Sequence, residues 1–454
     1  MNWYLTRELS QKFSLSSSII LRSEPQYYGT YAAFDYKRVR TEFLEEEEFR
    51  ALESIYDKPA DVKTISKEAG MDYERCERFL KKMTKLRFVQ AGSDSLNLKP
   101  PERVKVDPKL YKKFPIPFLS APASVDVFIT SRCNLNCVHC FSSVEEGTLH
   151  ELSISDLSSI FNQLESMGVL EVRINGGEPF LHPEIDKILL TLKEKRFRKV
   201  ILTNGTLLDE EMINLLKESE TIPTISLDDS EEEDHDNFRG VKGSFKHTVK
   251  ALELLQRNGV QYGINCCLHK RNLNRYRKII DLAIKYGAYR IAFLDLKVTG
   301  RMKKNVEWVP SYREYQKVML NLMMYKFRYR GRIDVALDVF LHCQPLKESI
   351  LEARKGFVSC QAGKIRLSID SRGYVYPCNL VLSDPKWNIS NIKNEKIWDI
   401  WFSQKWLFFR GGVKISDLKK CRECKNLISC KDFYCRLLPY VTNGDSFGPH
   451  TRCS

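Results

Sequence analysis

The stretch VDVFITSRCNLNCVHCFSS, residues 125–143, decides how the chain is read. Its first six residues alternate in the manner of a strand, and the loop that follows spaces Cys133, Cys137 and Cys140 by three and then two residues. A structural zinc site takes four protein ligands in a tetrahedron, and a catalytic one draws on histidine or carboxylate as well. Three thiols in one loop therefore predict a metal with a position left open, or a fourth ligand elsewhere in the chain.

Outward from this stretch the pattern repeats. VDVFIT, VLEVRI, KVILTN, TISLD, VQYGINCCL and YRIAFLDL read as strands, separated by helices expected from Ser153, Pro183, Asp209, Ser244 and Asn272. Alternation of this kind predicts an α/β fold in which six β/α units form a parallel sheet curled into a partial, TIM-like barrel, with its chemistry at the C-terminal ends of the strands. The three cysteines stand just after the first strand, where such a barrel places an active site. A helix with a polar face around 311–329 and a strand, RIDVALDVF, lead on into the tail.

The chain has 454 residues and 14 cysteines, and its size is enough for two or three cores without disulfide support. The N-terminus lacks the apolar run of a signal peptide, and no segment is long and apolar enough to span a bilayer, so a reduced, cytoplasmic setting and no membrane partner are expected. A formal charge of +14 fits a solvated exterior as well as it fits a partner, which could be nucleic acid, an acidic peptide or an anionic surface. Cysteine density rises sharply between Cys360 and Cys453. The expected domains are 1–100, a linker at 101–120, the barrel at 121–330 and a cysteine-rich region at 331–454. In the first, SSSIILRS and GTYAAFDYKRV read as strands and LEEEEFRALESIY, DVKTISKEAG and DYERCERFLKKMTKLRF as helices.

A 4Fe–4S cube held by three thiolates keeps one iron open to an outside ligand. The CX3CX2C loop after the first strand of a partial barrel resembles that of the radical S-adenosylmethionine (SAM) family. The resemblance implies that Cys133, Cys137 and Cys140 hold a 4Fe–4S cluster whose open iron chelates SAM, and that one-electron reduction releases a 5'-deoxyadenosyl radical. No protein side chain is then expected to act as catalyst. His139 occupies the family's aromatic position near the adenine. NGGEP (Gly176, Gly177, Glu178, Pro179), at the second strand's end, is similar to the family's glycine-rich contact to the SAM amino group. In SLDD, Ser226 and Asp228 match residues that approach SAM; in HDNFRGVKGSF, Arg239 is expected to meet a carboxylate. The acidic run DDSEEEDHD reads as a solvated loop. Buried packing is the expectation for Cys76, Cys266 and Cys267.

Cys360, Gly373, Cys378, Cys421, Cys424, Cys430, Cys435 and Cys453 are spaced as in the SPASM extension of radical SAM enzymes, although four residues rather than three separate Cys430 from Cys435. That resemblance implies two auxiliary 4Fe–4S clusters, one on Cys421, Cys424, Cys430 and Cys453 and one on Cys360, Cys378 and Cys435, with Cys343 a candidate to close the second. The N-terminal strands and helices resemble winged-helix-like leader-peptide recognition domains. Together these features resemble peptide maturases of the sactipeptide, subtilosin type: oxidoreductase-like enzymes that form thioethers in a ribosomal precursor peptide carrying a leader, with a flavodoxin- or ferredoxin-type reductant. Haem-biosynthetic, epimerising or carbon–carbon crosslinking radical SAM enzymes are the nearest alternatives. An iron–sulfur DNA-binding sensor is the alternative of another class, although nucleic acid is not the expected partner. Sulfatase maturation is disfavoured, because Asn379 follows Cys378 where that subfamily places an aspartate base.

Overall fold

The computed structural model describes residues 11–24, 26–38, 40–92, 107–141, 149–337, 347–358, 360–425, 427 and 434–449. At the N-terminus, strands β1 (Lys12–Leu15), β2 (Ile19–Glu24), β3 (Thr30–Asp35) and β4 (Arg40–Leu44) precede helix α1 (Glu46–Ser54), strand β5 (Ala60–Asp61), helices α2 (Val62–Ala69) and α3 (Tyr73–Lys85), and strand β6 (Val89–Ala91). The three helices lie where the periodicity put them. The strands outnumber the two read from sequence, because β1, β5 and β6 are too short to alternate and are held by mutual pairing in the order β5-β1-β6. The other sheet runs β2-β3-β4, which makes β4 an edge.

The barrel strands follow: β7 (Ser124–Phe128), β8 (Glu171–Asn175), β9 (Arg198–Thr203), β10 (Ile222–Ser226), β11 (Gly263–Leu268) and β12 (Arg290–Asp295). Each pairs in parallel with the next. Helices α4 (Ile154–Ser166), α5 (Ile185–Lys193), α6 (Glu210–Glu218), α7 (Glu232–Arg239), α8 (Ser244–Arg257) and α9 (Tyr276–Lys285) connect them. Ser153 and Asp209 cap α4 and α6 through their side chains, satisfying donors that a helix start leaves free. Val125, Val127, Val172, Ile174, Ile201, Ile225 and Ile291 are fully buried and continue into the helix layer through Leu157, Ile188 and Leu252.

Four strands from beyond residue 330 extend this sheet. β13 (Asp334–Ala336) pairs in parallel with β12, and β14 (Arg366–Ile369) in parallel with β7, followed by antiparallel β15 (Tyr374–Tyr376) and β16 (Ser390–Asn391). The cysteine-rich tail is thus tied directly to the strand that carries the cysteine loop.

Two expectations need correction. The acidic run is a loop only as far as residue 231: residues 232–239 form α7, whose His235 and Phe238 are buried and whose Asp236 accepts the backbone N–H groups of Gly243 and Phe245 at the start of the next helix. The outer face of α10 (Tyr312–Arg328) is polar only in part, with Arg313, Glu314, Lys317, Lys326 and Arg328 exposed. It packs Tyr315, Val318, Met319 and Leu322 inward but exposes Leu320, Met323, Met324 and Phe327. Among the described residues no helix is long and apolar enough to cross a membrane.

Candidate functional site

Cys133, Cys137 and Cys140 line a cavity of about 340 Å³ at the C-terminal end of the barrel strands. The cysteine loop is held by its neighbours' backbone. Gly177 and Glu178 donate N–H bonds to the carbonyls of Thr130 (2.9 Å) and Arg132 (2.7 Å). Asn136 and Val138 donate to the carbonyls of Arg239 (3.1 Å) and Phe238 (3.0 Å), and Arg301 donates to that of Cys140 (3.0 Å). From the LTNGT segment, the Asn204 side chain donates to Asn134 at 2.9 Å.

These contacts give the glycines a packing role beside the one read in sequence. A Cβ on Gly176 would stand 2.8 Å from the Thr130 carbonyl oxygen, and one on Gly177 would overlap the Arg132 carbonyl. Gly240 and Gly300 stand in the same relation to the carbonyls of Asn136 and Cys140. Gly176 and Gly177 line the cavity, but the space a side chain would fill belongs to the cysteine loop.

Glu178 is buried and accepts bonds from Thr203 Oγ1 (2.6 Å) and the Asn204 (2.8 Å) and Phe180 (3.3 Å) N–H groups. Burial outweighs these bonds and pushes its carboxyl up to about 7. Asp228 is fully buried; it pairs with Arg239 at 2.6 Å and accepts the Cys267 N–H at 2.8 Å. Burial raises its pKa while Arg239 opposes the rise. The carboxylate that Arg239 meets is therefore a protein one, and its other terminal nitrogen lies 3.7 Å from Cys137 Sγ. His139 stacks on Phe238 with ring centres 4.2 Å apart, and its surroundings hold its pKa well below the usual value, so the ring is neutral. Ser226 lines the cavity from the end of β10.

From the tail, Cys360, Cys378 and Cys435 open on this same cavity. Arg366 lies among them and donates to the Gln361 side chain at 2.6 Å. Cys421 instead packs with Val413, Leu418 and Tyr434, and Cys424 is exposed. Cys430, Cys453 and Cys343 lie outside the described residues. Cys76 and Cys266 pack in cores as expected, whereas Cys267 also lines the cavity. Sequence reading missed Asn204, Asn265, Thr203 and Arg366 as lining residues; for Thr203 and Asn204 the available signal was their place at the C-terminal end of β9.

The donor set fits a cluster and SAM. Burial raises the Cys137 thiol pKa, so this thiol stays protonated until bound iron draws off its proton. Among the described residues no three His, Cys, Asp or Glu side chains meet at a single-ion site, whereas a cube spreads its thiolates over separate irons. Glu178, Ser226 and Asn265 face the cavity as polar partners for a substituted amino acid.

Residues 127–283 match the radical SAM superfamily and residues 360–425 an iron–sulfur cluster-binding domain, SPASM. The chain is 30% identical to the Fe-coproporphyrin III synthase of Methanosarcina barkeri over 66% of its own length and 80% of that protein. It is 32% identical to the antilisterial bacteriocin subtilosin biosynthesis protein AlbA of Bacillus subtilis, over 56% of this chain and 54% of AlbA. In fold it is similar to Streptococcus suis SuiB bound to its precursor peptide SuiA, with a TM-score of 0.71 at 18% identity over 97% of this chain and all of that one. Thiol loop, strand-end cradle and these likenesses agree, and the chain belongs to the radical SAM superfamily as an enzyme with a SPASM iron–sulfur region.

Proposed function

We propose that this enzyme matures a precursor peptide by joining a cysteine sulfur to a peptide carbon as a thioether. The observation that carries the reading is the shared cavity: Cys360, Cys378 and Cys435 open on the same space as Cys133, Cys137 and Cys140. Three tail thiolates facing the substrate space suit a second site where a peptide thiol approaches. The likeness to AlbA and to SuiB, whose structure holds a precursor peptide, supports a peptide substrate.

When bound and reduced, the cluster on Cys133, Cys137 and Cys140 with SAM supplies a 5'-deoxyadenosyl radical. The chain's own residues prepare for this. Glu178 offers a carboxylate to the SAM amino group, its orientation fixed by Thr203 and Asn204. The Asp228–Arg239 pair ties β10 to α7 and so fixes Phe238 behind His139, which gives the adenine a rigid neutral ring to lie against. Edge strand β4 is the place for a leader to add as a further strand, within a leader-recognition region at 1–100. A low-potential flavodoxin- or ferredoxin-type protein serves as reductant.

The test is anaerobic incubation of the cluster-replete enzyme with its precursor peptide, SAM and a reductant. A peptide that loses two hydrogens per bridge is the expected product, and an unmodified peptide contradicts the proposal. A second reading, haem biosynthesis, is favoured by the likeness to the M. barkeri synthase. Activity on a tetrapyrrole that survives deletion of residues 1–100 would select it.

A further inference from the structure

The end of the barrel opposite the cysteines holds a second cavity, of about 290 Å³. It is lined by the starts of β9 and β10, the segment before β11 and the end of α6, with Tyr36 and Lys37 from the turn after β3. Lys199 lines it from β9 and is only 3% exposed. Its ammonium donates one hydrogen bond, to the Lys193 carbonyl at 3.1 Å, and has no carboxylate in ion-pair contact among the described residues. An ammonium carries three donors.

The rest of the lining does not supply the missing charge. Lys37 and Lys217 are exposed at the rim, and the lone carboxylate among the lining residues, Glu220, is engaged by Lys37 at 2.7 Å. The guanidinium of Arg198 is directed to Glu171 and the Tyr289 hydroxyl, both at 2.7 Å. Burying a lone ammonium is costly unless an anion compensates it. Burial pushes Lys199 down to about 8, helped by Lys37 and opposed by Glu220, Glu194 and Glu165. The N-terminal end of a barrel is ordinarily given to stability, and a buried cation with no carboxylate in contact among the described residues works against it.

We infer that this cavity is a binding site for a small anion, bearing a carboxylate or a phosphate group, that meets Lys199 on one side and the Lys37 turn on the other. The inference goes beyond the peptide reading and does not depend on it. Because Tyr36 and Lys37 belong to the N-terminal region and Lys199 to the barrel, such an anion would bridge the two.

The test uses the cluster-replete full chain, titrated by calorimetry with inorganic phosphate and separately with succinate, at constant ionic strength against chloride. Saturable binding of at least one anion is expected, with affinity falling about ten-fold or more in Lys199→Met, as befits a charge-assisted contact. Phosphate binding alone identifies a phosphate ligand, succinate alone a carboxylate. If Lys199→Met does not fold, the rim variants Lys37→Met and Lys217→Met replace it, each expected to weaken binding several-fold. Failure of both anions to bind saturably, or equal affinity in wild type and variants, overturns the assignment.

Discussion

Arg239 and Lys199 are both buried cations, one at each end of the same barrel. Arg239 has Asp228 at 2.6 Å and the Cys137 sulfur at 3.7 Å. Lys199 has one carbonyl. Glycines at the two ends differ in the same sense. Gly240, at φ +74°, packs against the Asn136 carbonyl, whereas Gly259, at φ +65°, has open space where a side chain would go. Around the cysteine loop, charge and shape are met within the protein, which fixes the loop at the edge of its cavity. At the other end charge is left over and space is left open.

The largest test of this contrast is to remove each cation. Arg239→Met leaves Asp228 buried and unpaired and should cost about 3–5 kcal/mol in denaturant unfolding, as for other broken buried pairs. Lys199→Met should cost nothing or stabilise the chain in anion-free buffer. Equal losses from both would erase the distinction. The glycines come next. Gly259→Ala should cost only the roughly 1–2 kcal/mol of a left-handed alanine. Gly240→Ala should cost more and lower iron incorporation as well, because the Asn136 carbonyl must move.

Smaller in scale is Glu178→Gln. With its oxygen kept for Thr203 and Phe180, the amide turns a donor toward the Asn204 N–H, which should weaken SAM binding about ten-fold, equivalent to roughly 1.4 kcal/mol. Equilibrium dialysis of the reconstituted protein checks it. The contrast also predicts a pH dependence for Lys199. Its folded pKa of about 8 lies below the unfolded 10.5. Between these values the unfolded chain binds more protons, so wild-type stability should rise with pH relative to Lys199→Met, while below about 8 the difference should be flat. A difference that falls with pH would mean that Lys199 has a partner after all.

How legible each end was in the sequence follows from the same physics. Strands β7–β12 and their helices were readable because apolar periodicity and caps such as Ser153 and Asp209 act locally. The cysteine loop was readable because its spacing is a chemical signature. What escaped depends on distant pairing. Nothing in RLSI announces that β14 will lie beside β7. Nothing in the acidic run shows that Asp236 will bond to Gly243 and Phe245 and so order a helix. The packing role of the NGGEP glycines escaped because the loop they accommodate, though near in space, lies some forty residues earlier. The cavity around Lys199 was invisible for the same reason, since it gathers its lining from four separate segments.

The proposed function rests on one step, removal of hydrogen from a peptide in the cavity shared by the barrel and tail cysteines. The most direct measurement is isotope transfer: a precursor peptide deuterated at its carbon positions is incubated anaerobically with the enzyme, SAM and reductant, and the 5'-deoxyadenosine is weighed by mass spectrometry. Deuterium in the 5'-deoxyadenosine, absent when Cys133 is replaced by alanine, is the predicted result. Unlabelled 5'-deoxyadenosine from the intact enzyme, with the peptide present and bound, would contradict the claim.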